Sequence, residues 1–201
     1  MDYIFLLGHR KTAGKDVSCK ILLDILSNKN IATSHTYFAK MLKKHVCERY
    51  GLDFNKMGDD DYKNSTPDHL CGLTVRQVLI KEGCFARSIW QNTWSFPVYN
   101  DLLLSDCQVG IVSDFRYPNE YSCFDECYNI LNGRTAVKKP KVFKVLVHRP
   151  QGKFVCDGAD DQLPDVCDYW DHTIWNDDVT INWKQNIENQ LRNMVKSTMG
   201  I

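Results

Sequence analysis

Residues 3–17 read YIFLLGHRKTAGKDV, an apolar run followed by a glycine-bounded basic segment. The run at 3–7 fits a buried strand. Beyond the glycines, Val17, Ile21, Leu22, Ile25 and Leu26 recur at helical spacing. Strand, glycine-rich turn and helix together are the setting of a phosphate-binding loop, in which backbone N–H groups at a helix start face phosphate oxygens and a Lys adds charge. Gly14-Lys15 supplies that ending. The usual pattern is G-x-x-x-x-G-K-[ST]; here five residues separate Gly8 from Gly14, and Asp16 stands where Ser or Thr is usual. His9, Arg10 and Lys11 add basic groups to the rim. The competing reading is an ordinary strand-to-helix turn.

The rest of the chain repeats the alternation. Strands are expected at 32–37, 109–112, 141–148 and 172–175. Helices are expected at 39–50, stopped by Gly51; from Thr74, an N-cap, to Gly83; in two parts across 85–104, broken near Pro97; at 119–131 behind Pro118; and at 182–195. Residues 52–72, polar and punctuated, read as a surface loop or flexible insertion, and residues 150–171, rich in Gly, Pro and Asp, as another loop. Strands alternating with helices predict an α/β fold with a mainly parallel five-stranded sheet flanked by helices. The 201 residues suit a single domain.

Composition excludes several classes. Lys plus Arg equals Asp plus Glu, so the formal charge is zero, which argues against general nucleic-acid binding. No run reaches the length of a membrane span. Nine cysteines with no C-x-x-C pair, and no recognisable signal peptide, point to reduced thiols in a cytoplasm-like compartment rather than to a disulfide framework or a zinc site.

Three constellations can carry chemistry. The first is the loop with Lys15. The second is SDFRYPNE (113–120), placed where a strand meets the ligand edge of an α/β sheet. There Asp114 can bind Mg²⁺ through water or act as a base, and Arg116 can clamp a phosphate with its planar fork. The third is a set of arginines from separate segments, Arg76, Arg87 and Arg149, as phosphoryl transfer requires; Trp90 and Trp94 are candidates for stacking on a base, or for core.

The ordered blocks GHRKTAGKD (8–16), FAKMLKK (38–44), LTVRQVLIKEG (73–83), RSIWQNTW (87–94), SDFRYPNE (113–120), VLVHRP (145–150) and DHTIWND (171–177) resemble the deoxynucleoside monophosphate kinases of tailed phages and large DNA viruses. The likeness runs from about residue 3 to 195. It implies a three-layer P-loop nucleotide-kinase fold, ATP and Mg²⁺ as cofactors, and a location in the host cytoplasm if the source is viral. The family loop reads G-x-x-x-x-G-K-D, so Asp16 is the expected residue; the longer loop and Val17, where the family often has Thr, are departures.

The resemblance implies nucleotide contacts from Gly8, Thr12, Ala13, Gly14, Lys15, Asp16, Val17 and Arg149, with Asp16 on the metal side. It implies acceptor contacts from Lys43, Arg76, Arg87 and Trp94, and active-site roles for Lys15, Asp114 and Arg116. The acceptor-binding helical segment falls at about 39–105 and the lid at about 150–171. The acidic DGADDQLPD (157–165) also resembles the lid of animal-type phosphomevalonate kinases, a second reading. A kinase fold without activity, serving as a binding or structural protein, is the third. The partners implied are small-molecule nucleotides, with no membrane; a homodimer stays open.

Overall fold

In the computed structural model, residues 1–8, 12–133, 137–150, 163, 167–177 and 181–201 are described. The expected lid at 150–171, the rim residues His9, Arg10 and Lys11, and part of the turn at 132–140 lie largely outside them.

The apolar run forms β1 (Tyr3–Gly8) at the centre of a five-stranded sheet. Its neighbours are β3 (Val109–Phe115) and β4 (Lys141–His148); β2 (Thr33–Thr36) and β5 (His172–Trp175) form the edges, giving the order β2-β3-β1-β4-β5 with every pairing parallel. Successive side chains of a strand point to opposite faces, and both faces of β1 are covered, so its apolar residues run without a polar break. Phe5 and Leu7 pack with helices α1 (Lys15–Ser27) and α7 (Trp183–Met199) through Leu22, Ile25, Ile187 and Leu191. Ile4 and Leu6 pack on the other face with α5 (Ser95–Leu103) and α6 (Pro118–Asn132), where Tyr99 and Phe124 are the largest contributors.

A third apolar cluster joins α2 (Ala39–Tyr50) to α4 (Val75–Ile89) through Leu42, Val46, Val75 and Val78. Residues 52–72 belong to it and are not a loose loop. Met57 is 1% exposed and Leu70 5%, and the chain between them is ordered by a 3₁₀ turn (Phe54–Lys56), the short helix α3 (Asp60–Asn64) and another 3₁₀ turn (Asp68–Leu70). Asp53 and Asp59 each accept a backbone N–H two residues on, at 2.9 Å, the local capping that Asp favours.

Three boundaries differ from expectation. Helix α4 does not stop at Gly83: it continues to Ile89, and a Cβ on Gly83 would lie 3.0 Å from Leu42, so the glycine serves close approach of α2. The break between α4 and α5 falls at residues 90–94, and Pro97 sits in the first turn of α5, where a missing N–H costs no intrahelical bond. Strand β3 runs three residues further than expected, which places Asp114 inside the strand.

Strand β1 leads into α1 on one face of the sheet, whereas β3 leads into α6 on the opposite face. Adjacent parallel strands that exit to opposite faces leave a crevice beyond their carboxyl ends, where ligands of open α/β sheets bind. Among the described residues no helix is long and apolar enough to cross a membrane.

Candidate functional site

A cleft of about 1350 Å³ opens at that crevice. Thr12, Gly14, Lys15, Asp16 and Val17 form one wall; Lys43, Arg76, Arg87, Trp94, Asp114 and Arg116 complete it from α2, α4, the segment after α4, and the end of β3. Eleven of the residues singled out from sequence therefore share one space, although they span about a hundred positions. Gly8, Ala13 and Arg149 do not line it.

Gly14 caps α1 with φ +100°, and the helix opens without a side-chain cap. The first N–H groups of any α-helix have no intrahelical acceptor, so this 13-residue helix presents donors and the positive end of its dipole to the cleft. Lys15 begins the helix and is 8% exposed. Gly8 has a structural reason to be glycine: an added Cβ would lie 2.5 Å from the Trp170 ring and 3.0 Å from Phe115. Arg149, at the end of β4, donates from Nη1 to the Thr12 carbonyl at 3.2 Å, so it braces the loop from behind.

Cations line the far side. Lys43 lies over the Tyr37 ring, 4.9 Å from its centre, and Arg87 over the Tyr117 ring at 4.7 Å, contacts in which the ring faces hold the charged groups. Burial pushes the Lys43 pKa down, and the Lys63 and Arg116 charges add to the shift against the pull of Asp114 and Asp16; an anion entering the cleft would relieve this. Arg76 donates from Nε to Asn64 and pairs with Asp60 at 2.8 Å, and Lys63 pairs with the same Asp60 oxygen at 2.8 Å. The segment read as a loose loop thus supplies two charged groups to the site. Trp94 donates from its indole N–H to the Gly83 carbonyl at 3.4 Å, leaving its ring against the cleft.

The carboxylates have structural bonds. Asp114 accepts from the Phe38 N–H at 2.6 Å through Oδ1 and from the Ala39 N–H at 2.9 Å through Oδ2, capping α2 from β3. Burial pushes its pKa up, while those two N–H groups, Arg116 and Lys43 oppose the shift. Glu120, the last residue of SDFRYPNE, is 8% exposed and accepts from the backbone N–H of both Arg116 (2.7 Å) and Tyr117 (3.0 Å). Burial and the neighbouring Asp114 charge push its carboxyl up to about 8. Glu120 therefore fixes the turn from which Arg116 and Tyr117 project.

Sequence reasoning also passed over His35, whose Nε2 lies 2.9 Å from Ser113 Oγ on the cleft floor, and Asn176, which reaches the glycine loop from the end of β5. Glu120 and Asn176 stand inside quoted blocks, yet nothing in their spacing marks a contact.

The residues fit a bound nucleoside triphosphate: a glycine with positive φ, no room for a Cβ beside it, an uncapped helix start and a lysine at its first position. Among the described residues no group of three or more His, Cys, Asp and Glu is suited to hold a metal. Mg²⁺ commonly takes one or two carboxylates together with substrate phosphates, and Asp16, exposed in the first turn of α1, fits that sparse role better than Asp114, whose two oxygens hold α2.

Comparison with protein-family models gives no match, and comparison with curated proteins gives none.

Proposed function

We propose that this chain is a P-loop nucleotide kinase that transfers a phosphoryl group from ATP to a deoxynucleoside monophosphate. The observation that carries the reading is one cleft, at the sheet's switch point, joining a glycine-loop helix start to cations from three further elements. Its volume of about 1350 Å³ exceeds the 300–1,000 Å³ usual for a single small ligand, as a site for two nucleotides requires. The resemblance in sequence supplies the substrate class.

Mg²⁺ and ATP supply the phosphoryl donor and the divalent charge that offsets its oxygens. The loop backbone from Thr12 to Val17 and the Lys15 ammonium hold the phosphates, and Asp16 faces the metal side. Lys43, Arg76 and Arg87 hold the acceptor's phosphate, and Trp94 offers a ring for its base. Arg116, whose backbone N–H is held by Glu120, lines the same cleft and would steady charge on the transferring group. Asp114 keeps α2, and so Lys43, in place. Such catalysis is mostly positioning and charge stabilisation.

The test is ADP release from ATP with a panel of deoxynucleoside monophosphates and mevalonate 5-phosphate, with Lys15→Ala as the control. Release that depends on one monophosphate and falls about a hundredfold or more in the control, the scale of losing a charge-stabilising group, supports the reading. Release with mevalonate 5-phosphate alone moves the assignment to the second kinase class, and no release with any acceptor overturns kinase activity.

A further inference from the structure

We infer that Asn176 is a positioning residue for the glycine loop, holding from β5 the backbone shape that turns the loop's N–H groups toward phosphate. The inference rests on the kinase reading for the identity of the ligand, and on the geometry below for the rest.

Asn176 directly follows β5, and its own N–H donates to the His148 carbonyl at 2.7 Å, continuing the β4–β5 ladder. Its backbone is thus fixed by the sheet, and its side chain, 4% exposed, has little room to move. Nδ2 donates to the Ala13 carbonyl at 2.9 Å, across 163 positions of sequence. The same Nδ2 lies 2.4 Å from where a Cβ on Gly14 would stand. Gly14 is therefore required twice over, by φ +100° and by the side chain packed on its Cα.

A trans peptide is planar, with its C=O and the following N–H on opposite sides. Drawing the Ala13 carbonyl toward Asn176 consequently aims the Gly14 N–H away from β5. Arg149 does the same one peptide earlier: by holding the Thr12 carbonyl it aims the Ala13 N–H away from β4. Two successive peptides of the loop are oriented from the ends of two adjacent strands, on the side opposite their donors.

The arrangement carries a cost that packing alone does not explain. Asn176 Oδ1 is buried with no hydrogen-bond partner among the described residues, a condition native structures mostly avoid. Rotating the amide by half a turn would set Oδ1 against the Ala13 carbonyl, so the orientation is decided by the loop. The other such atom among the described residues is Ser18 Oγ, on the residue whose N–H donates to the Gly14 carbonyl at 2.9 Å. An apolar side chain at 176 would fill the space without stranding an acceptor, but would leave the Ala13 carbonyl unheld.

The experiment compares the full chain with Asn176→Ala and Asn176→Asp. The second keeps the volume and replaces the donor with an acceptor. Three quantities are read: ADP affinity by calorimetry, amide hydrogen exchange across residues 12–18, and the separate KM values for ATP and the best monophosphate. The expected result is ADP affinity lower by about tenfold to a hundredfold, the scale of misplacing a binding group by about an ångström. Faster exchange confined to 12–18 and a raised KM for ATP, with the monophosphate KM unchanged, complete the pattern.

Wild-type ADP affinity and wild-type exchange in the folded variants would overturn the inference. So would equal loss at both KM values with exchange rising through the whole sheet, which marks a merely structural residue. If the Ala variant fails to fold, the Asp variant decides by the same readings. If the wild-type chain binds no ADP, the kinase reading fails, and exchange across 12–18 decides the loop role by itself: faster in the variants supports it, unchanged overturns it.

Discussion

Asp114→Asn separates a capping carboxylate from a chemical one. The wild-type side chain spans two consecutive N–H groups at the start of α2, Phe38 at 2.6 Å and Ala39 at 2.9 Å, with Phe38 2% exposed. Asparagine has the same outline but one acceptor oxygen. Its amide N–H₂ must face one of the two donors, so one charge-assisted bond is lost and one N–H is left stranded. A hydrogen bond to a charged group contributes about 1.5–3 kcal/mol, and a stranded buried donor costs a similar amount; the two describe one event from two sides and do not add. A loss of about 2–3 kcal/mol is expected, which for a domain of this size lowers Tm by roughly 4–12 °C. Calorimetric melting measures it, and hydrogen exchange at the start of α2 locates it. Because Lys43 rides on α2, the acceptor KM should rise while kcat falls less. An unchanged Tm with turnover abolished would refute the capping argument and make Asp114 a participant in the chemistry.

Arg116→Lys should lower kcat at least tenfold with Tm nearly unchanged, since a lysine cannot reproduce the planar fork; steady-state kinetics beside a melting curve checks it, and unchanged kinetics would remove Arg116 from the site. Asp60→Asn should lower the acceptor KM a few-fold, because Asp60 competes as an anion for Lys63 and Arg76, both 2.8 Å away; its half-exposed pairs contribute less than about 1 kcal/mol, so urea midpoints should move little. His35 gives a pH dependence. Burial pushes its folded pKa below the ordinary value of about 6.5, so the unfolded chain takes the proton first; this contribution to stability is full above about pH 6.5 and is lost as pH falls through the folded pKa. Urea midpoints of His35→Gln between pH 7.5 and 5 should show a flatter acid limb, although His172, lowered by burial in the same direction, retains part of it.

Burial on both faces writes itself as an unbroken apolar run in β1, where the expected 3–7 matches Tyr3–Gly8; the expected 141–148 and 172–175 match β4 and β5, whose β-branched and aromatic residues mark them although polar residues interrupt the runs. Helix starts marked by a side chain were legible too. Thr74 accepts from Gln77 N–H while Gln77 reaches back to Thr74 N–H, and Pro118 opens α6. What failed was inference from a single residue type. Glycine often ends helices, but Gly83 is the place where α2 and α4 come close. Proline often breaks them, yet Pro97 in the first turn of α5 breaks nothing. Residues 52–72 read as a loop because the segment is polar and punctuated, and its buried anchors Leu52, Met57 and Leu70 follow neither a 3.6 nor a 2 period.

The same distinction sorts the site. Lys15, Asp16, Arg76, Arg87 and Arg116 could be picked out because their charge is chemistry in any context, and the cleft gathers all of them. Asn176 and Glu120 could not, because neither carries a role until strand order is known. Glu120 matters because β3 runs on to Phe115, three residues beyond the expected strand, so that the Arg116 and Tyr117 N–H groups fall within reach of the first turn of α6. Asn176 matters because β4 lies between β1 and β5, which brings the end of β5 beneath a loop 163 positions away. Residues that face a ligand are legible as residue types; residues that aim them are consequences of topology. On the proposed reading, the loop's work depends on whether Thr12, Ala13 and Gly14 are held in shape, and the holders of the Thr12 and Ala13 carbonyls, Arg149 and Asn176, stand far along the sequence.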